Sequence, residues 1–257
     1  MIKSFFFTFV LVSLTVYCAA QKQRSFAAEN QIVYKVAFKP DSTDQDNVVI
    51  EYAELLANDT SSIFRTISQG KTDSALYAQY GLGNSKGQNQ SRTRMHFTIV
   101  KQKDSVYTYD TIYDSFALYA MYGESRNDMK WSIEKDTMNH NGINCQKAKL
   151  VYGGRNWTAW FSIDIPFPDG PYKFTGLPGL IIYMYDSANQ WIFDLAFINP
   201  KYDKKVFYGD VRFKYKHLSK DDFHRERKRL KNNTFELSSA LGLNDGVTGD
   251  TLEKLKK

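Results

Sequence analysis

Apolar and polar residues alternate with a period of two along most of this chain, which predicts strands in preference to helices. Ile32, Tyr34, Val36 and Phe38 alternate with Gln31, Val33, Lys35 and Ala37, and Pro40 ends the run. Val48–Leu56 departs from that period. Its Val49, Tyr52, Leu55 and Leu56 fall at helical intervals and predict a short helix. Ser62–Ile67 reads as a strand, Lys71–Tyr80 as a weak helical face, and Gly81–Ser91 as a polar loop. From Arg92 onward strands follow closely: around Met95, Phe97 and Ile99, then Val106–Tyr113, Ser115–Tyr122, Met129–Glu134 and Ile143–Val151. Asn156–Ile165, Leu180–Tyr185, Gln190–Ile198 and a bulged Val206–Lys216 continue the series. Asn141-Gly142 between two such runs is a type I′ hairpin signal, and Gly153-Gly154 is a second turn. No helical period separates consecutive strands, which argues against a doubly wound parallel fold. The expected fold is mainly β (a β-rich α+β class): an antiparallel curved sheet or half-barrel with one or two helices.

One stretch breaks the rhythm. Four of the six prolines, Pro166, Pro168, Pro171 and Pro178, lie with Gly170, Gly176 and Gly179 between two strand signals. Proline fixes φ and removes a donor, and glycine opens the positive-φ region, so the segment from Pro166 to Gly179 reads as a shaped connection. Leu177, Leu180 and Ile181 flank its end and predict that it folds back onto apolar surface. The four tryptophans, Trp131, Trp157, Trp160 and Trp191, lie in or beside this stretch, where such side chains dominate a core.

Gly176-Leu177-Pro178-Gly179-Leu180-Ile181 also resembles the hexapeptide that gives the GLPGLI family its name. The likeness runs upstream through Cys145, Ala148, Gly154-Arg155, Ala159-Trp160-Phe161, Ile165-Pro166, Gly170-Pro171 and Lys173-Phe174, about forty residues in order. The resemblance implies an exported protein of Gram-negative bacteria. It carries no established activity, so no catalytic residue transfers with it. On the family stretch, Arg155, Trp157, Trp160, Lys173, Leu177 and Pro178 are the candidates for ligand or partner contact, and Gly176–Ile181 is the structural motif.

The amino terminus adds a location. Lys3, an apolar run from Phe5 to Tyr17 and Cys18-Ala19-Ala20 read as a secretory signal cleaved before Gln21. Tyr17 stands where lipidation of Cys18 would need a small residue. Removing residues 1–20 leaves Cys145 alone, which predicts a buried thiol. Residues 21–30 read as a flexible segment, 31–236 as one domain, and 237–257 as a flexible tail. The expected place is the periplasm or the outer membrane, or secretion beyond it.

Charge changes the picture in one place. Ser219 and Asp222 resemble a capping box that opens a basic helix near 220–232, with Arg225, Arg227, Lys228, Arg229 and Lys231. Such a helix suits a solvated face or an anionic membrane surface. A net charge of +6 does not make nucleic acid a partner of an exported chain. The sequence contains no His-Glu-x-x-His and no Cys-x-x-Cys, and His96, His140, His217 and His224 are dispersed. Asp164 and Asp169, beside the prolines, suit capping of a turn better than acid–base work. No catalytic, metal or cofactor site is expected. The reading is a non-enzymatic exported protein that binds an apolar ligand or a partner protein. The alternatives are a hydrolase with a site near residues 166–179 and an assembly subunit of an envelope secretion or receptor complex.

Overall fold

Twelve strands of the described residues hydrogen-bond into one curved, open sheet. The structure, a computed structural model, describes residues 24–40, 44, 46–81, 93–112, 118–209 and 214–229. Six strands form one meander: β2 (Asn30–Phe38), β3 (Val49–Ala57), β4 (Ser61–Thr66), β5 (Thr98–Gln102), β6 (Ser105–Ile112) and β7 (Leu118–Ser125). A second meander runs β8 (Ser132–His140), β9 (Ile143–Tyr152), β10 (Arg155–Ser162), β11 (Leu180–Asp186) and β12 (Trp191–Asn199). The two join where β12 pairs antiparallel with β2, and the two-residue β14 (Lys216–His217) adds a parallel edge beside β7. Outside the sheet, β1 (Ser25–Ala28) pairs with β13 (Lys204–Phe207). Helix α1 (Ile67–Leu76), capped by Thr66 and continued by a π-turn at Tyr77–Gly81, follows β4, and helix α2 spans 220–229.

Turn chemistry sets several registers. Asn141 and Gly142 both have positive φ (52° and 86°), as a type I′ turn between β8 and β9 requires. Gly153 and Gly154 do the same between β9 and β10.

Three expectations need correction. Val48–Leu56 is not a helix but lies largely within strand β3. From Ala53 to Ala57 both faces of that strand are buried, so its apolar residues lose the alternation that marks a strand. Residues 24–30 are not a flexible lead but include β1, which β13 holds in register. Val206–Lys216 is not one bulged strand: β13 ends at Phe207, and β14 belongs to the large sheet. Residues 210–213 between them, the signal at 1–20 with Cys18, the loop at 82–91, Lys231 and the tail at 237–257 lie outside the described residues.

Period-two burial gives the sheet two distinct faces. The first carries Ile32, Tyr34, Val36, Leu55, Phe64, Ile99, Val106, Ala148, Leu150, Trp157, Phe161, Met184 and Phe193 in the main core. The segment between β10 and β11 returns across this face, adding Phe174 and Leu177 to it, both almost fully buried. The second face is covered by β1, β13 and α1 over part of its width, where Ala28, Leu56, Ile63, Val100, Val206 and Tyr208 pack. There Arg65 lies buried between Glu54 (3.2 Å) and Asp73 (2.9 Å).

Candidate functional site

The family hexapeptide sits where the β10–β11 connection meets the first face. Gly176 has φ 91°, a conformation that costs an L-residue strain. Gly179 is needed for a different reason: a Cβ there would overlap the carbonyl oxygen of Ser162 and lie 2.6 Å from its carbon. Leu177, Leu180 and Ile181 are buried at 1 %, 0 % and 0 % exposure, so the motif faces inward. The Tyr34 hydroxyl donates to the Ile181 carbonyl at 2.7 Å, tying the motif to the sheet centre.

Two buried ion pairs fasten the connection, with opposite polarity. Asp169 receives Lys101 of β5, whose Nζ also donates to the carbonyls of Gly170 (2.7 Å) and Phe174 (3.0 Å). Three acceptors use all three N–H bonds of an ammonium, so the geometry fits the charged form. Burial pulls the Lys101 pKa down from its ordinary value, and the Asp169 charge opposes that fall. Ser62 Oγ and the Gly170 N–H also donate to Asp169, at 2.5 and 2.7 Å.

Lys173 supplies the second pair, with Glu124 of β7, and donates to the Tyr122 hydroxyl at 2.6 Å. Burial opposes its charge, but Tyr172, Tyr122 and Glu124 outweigh burial and hold the lysine above its ordinary range. Burial likewise works against the charge of Glu124, yet Lys173, with hydrogen bonds from Lys220 and Tyr152, holds that carboxyl below its ordinary value.

Helix α2 closes over this corner. Ser219 Oγ accepts the Asp222 N–H at 3.1 Å, giving half of the expected capping box. Phe223 packs on Ile112, Ala120 and Tyr122. Lys220 reaches Glu124 at 2.5 Å, and Arg227 reaches the buried Asp110 at 3.4 Å. Burial raises the Asp110 pKa, with Arg227 opposing. Arg225 pairs with Asp222 and Arg229 with Glu226. Three of the five cations that define the basic helix thus have carboxylate partners.

The predicted contact residues do not converge on one open site. Trp157, Lys173 and Leu177 are buried at 6 %, 2 % and 1 % exposure. Arg155 is held by Asp186 and by Gln190 at 2.7 Å, and Pro178 is exposed at the bend. Trp160 is half-buried on the second face. Lys101, Glu124 and Asp110 were not singled out from the sequence. Their signal was a charge continuing an inward series: Phe97-Ile99-Lys101, Ala120-Tyr122-Glu124 and Val106-Thr108-Asp110. Cys145 is buried, and burial pushes its thiol up to about 11. Among the described residues no three His, Cys, Asp or Glu side chains are placed to hold a metal, and no helix is long and apolar enough to cross a membrane.

The open chemistry lies on the other half of the second face. Strand register builds two rows there. One runs Ile50, Ala37, Ile192, Tyr185, Thr158 across β3, β2, β12, β11 and β10. The other runs Tyr52, Lys35, Asp194, Tyr183, Trp160 across the same strands. Ile50 and Tyr52 are 54 % and 52 % exposed. Tyr183 stacks on His140, with ring centroids 4.8 Å apart, and the His140 Nε2 lies 2.7 Å from Asp194 Oδ1. Burial raises the Tyr183 pKa, as does Asp194.

Comparison with known proteins gives only distant structural likeness. Two solved structures of PNGF-II, in different crystal forms, align with TM-scores of 0.49 and 0.46 at 10 % identity. They cover 77 % and 80 % of this chain but only 33 % and 32 % of their own, so the chain spans about a third of their length. A likeness that distant carries nothing about chemistry. No curated protein matches the sequence. The resemblance read at Gly176–Ile181 is met by a family match over residues 87–183, which cover β5 to most of β11, the charged connection and the hexapeptide: it is to the Porph_ging family, proteins of unknown function.

Proposed function

We propose that this chain is a non-enzymatic exported binding protein that presents the uncovered half of its second sheet face to a protein partner. Export rests on the signal-like pattern of residues 1–20. The observation that carries the binding reading is the pair of cross-strand rows holding Ile50, Tyr52, Ile192, Tyr183, Tyr185 and Trp160 on a rigid, hydrogen-bonded platform. Exposed apolar side chains gathered on one face mark interaction surfaces. An apolar ligand would need a concavity, and the first face is filled by Phe174, Leu177 and their neighbours. A hydrolase would need titratable groups open to a substrate, whereas Lys101, Asp169, Lys173 and Glu124 are consumed by each other in buried pairs.

Site-specific photo-crosslinking in the envelope of cells that naturally make the protein tests the reading. A photoreactive residue at Tyr52 is expected to give a discrete high-mass adduct, and one at Pro178 none. Adducts from Pro178 alone, or from neither position, would overturn it.

A further inference from the structure

We infer that the partner on this face is a second copy of the chain, bound face to face about a two-fold axis that runs parallel to the strands between β2 and β12. The inference rests on the reading that the second face is a docking surface. Its argument is self-complementarity across that axis. A rotation of 180° about it carries β2 over β12 and β3 over β11. Each Lys35 then faces the other copy's Asp194, because the two occupy one cross-strand pair astride the axis. In the same operation Ala37 faces Ile192, Ile50 faces Tyr185, and Tyr52 faces Tyr183, since each of these pairs sits in one row at equal distances from the axis. Charge meets opposite charge at the centre, and apolar or aromatic meets the same on both flanks, as an isologous interface requires.

The monomer leaves the central charges available. Lys35 is exposed, and no carboxylate among the described residues pairs with it. Its cross-strand neighbour Asp194 directs Oδ1 to His140 instead and keeps a side-chain exposure of 36 %. An axis perpendicular to the strands would place Lys35 over Lys35 if it passed through that row, or over Ala37 if it passed between the two rows, so only the first arrangement sets Lys35 against a carboxylate. The four strands matched across the axis, β3, β2, β12 and β11, span about 14 Å at about 4.8 Å each, a footprint smaller than that of a standard interface. Association is therefore expected to be weak, with dimer appearing toward the upper end of a concentration series.

Sedimentation equilibrium of the mature full-length chain over a concentration series is the test. The mass is expected to rise toward twice that of the monomer. Lys35→Asp and Asp194→Lys should each weaken the dimer by about tenfold or more, because each sets like charges together at both symmetry-related contacts. The double swap Lys35→Asp/Asp194→Lys should restore it. Lys35 is exposed, so its variant is expected to melt with the parent, which keeps the test readable if Asp194→Lys unfolds. A chain that stays monomeric, or a dimer indifferent to Lys35→Asp, would overturn the second-copy inference. A monomer that still gives a Tyr52 adduct with a different protein would leave the docking surface standing and remove only its assigned occupant.

Discussion

Gly176 and Gly179, three residues apart in one hexapeptide, are predicted to fail for different reasons and by different amounts. At Gly176 a Cβ meets nothing within 4 Å, so Gly176→Ala costs only the strain of φ 91°. That is about 1–2 kcal/mol for an L-residue outside its allowed regions. At Gly179 the φ is unexceptional, but the Cβ would overlap the Ser162 carbonyl oxygen and lie 3.0 Å from Ile163 Cα. Both obstacles are backbone, and Ser162 is paired with Leu180, so relief means pulling the end of β10 from the start of β11. Overpacking against atoms that cannot rotate away costs about 1–3 kcal/mol and sometimes more, and this contact belongs at the upper end. Urea unfolding followed by tryptophan fluorescence reads both, because Trp157 packs on Phe174 and Trp131 Nε1 donates to the Thr175 carbonyl at 2.8 Å. With a slope of about 2 kcal/mol per molar, Gly179→Ala should lower the midpoint by about 1.5 M or more, and Gly176→Ala by about half that. Equal midpoints for Gly179→Ala and the parent, or a larger loss at Gly176, would refute the assignment of close approach to one glycine and backbone conformation to the other.

The remaining predictions concern charge and burial. Lys101→Met leaves Asp169 buried without its cation and should cost about 3–5 kcal/mol in the same assay, and adding Asp169→Asn should recover part of the loss. Glu124 has a folded pKa below its ordinary value of about 4.3, so its stabilisation is full above that value and disappears as pH falls through the folded pKa. Glu124→Gln should therefore be less stable than the parent at neutral pH, with the gap closing in the acid limb of a stability–pH curve. With its pKa at about 11, Cys145 holds about one thiolate per thousand at pH 8, so thiol reagents should label it only after denaturant is added. For helix α2, retention on anionic vesicles that fades with salt is the expected behaviour of a free basic face. The carboxylate partners of Arg225, Arg227 and Arg229 make Lys228 the position at which substitution should reduce that retention most.

What was readable in the sequence was local. Asn141-Gly142 specified its hairpin because only a turn with two positive φ values joins twisted strands over two residues, and the prolines between Pro166 and Pro178 specified a fixed connection because each removes freedom by itself. The pairing of β2 with β12 was not readable, since the two strands stand some 160 positions apart and nothing in either names the other. Strand β3 misled for a physical reason: Leu55 and Leu56 point to opposite faces, yet both are buried, because α1, β1 and β13 cover the second face at that end. The same covering explains the site. Where it ends, the second face keeps Ile50 and Tyr52 open, so the strand that begins exposed and finishes buried on both sides marks the boundary between core and docking surface. The buried ion pairs follow from the opposite situation. A connection carrying Asp169 and Lys173 across an apolar face must have both charges neutralised from the sheet, and it has one cation and one anion waiting on different strands. A connection displaced by one residue would set Pro168 or Gly170 against Lys101 and Tyr172 or Phe174 against Glu124, leaving both sheet charges buried without a partner. The pairs therefore select a single seating of the hexapeptide, a specificity that an apolar packing alone would not impose.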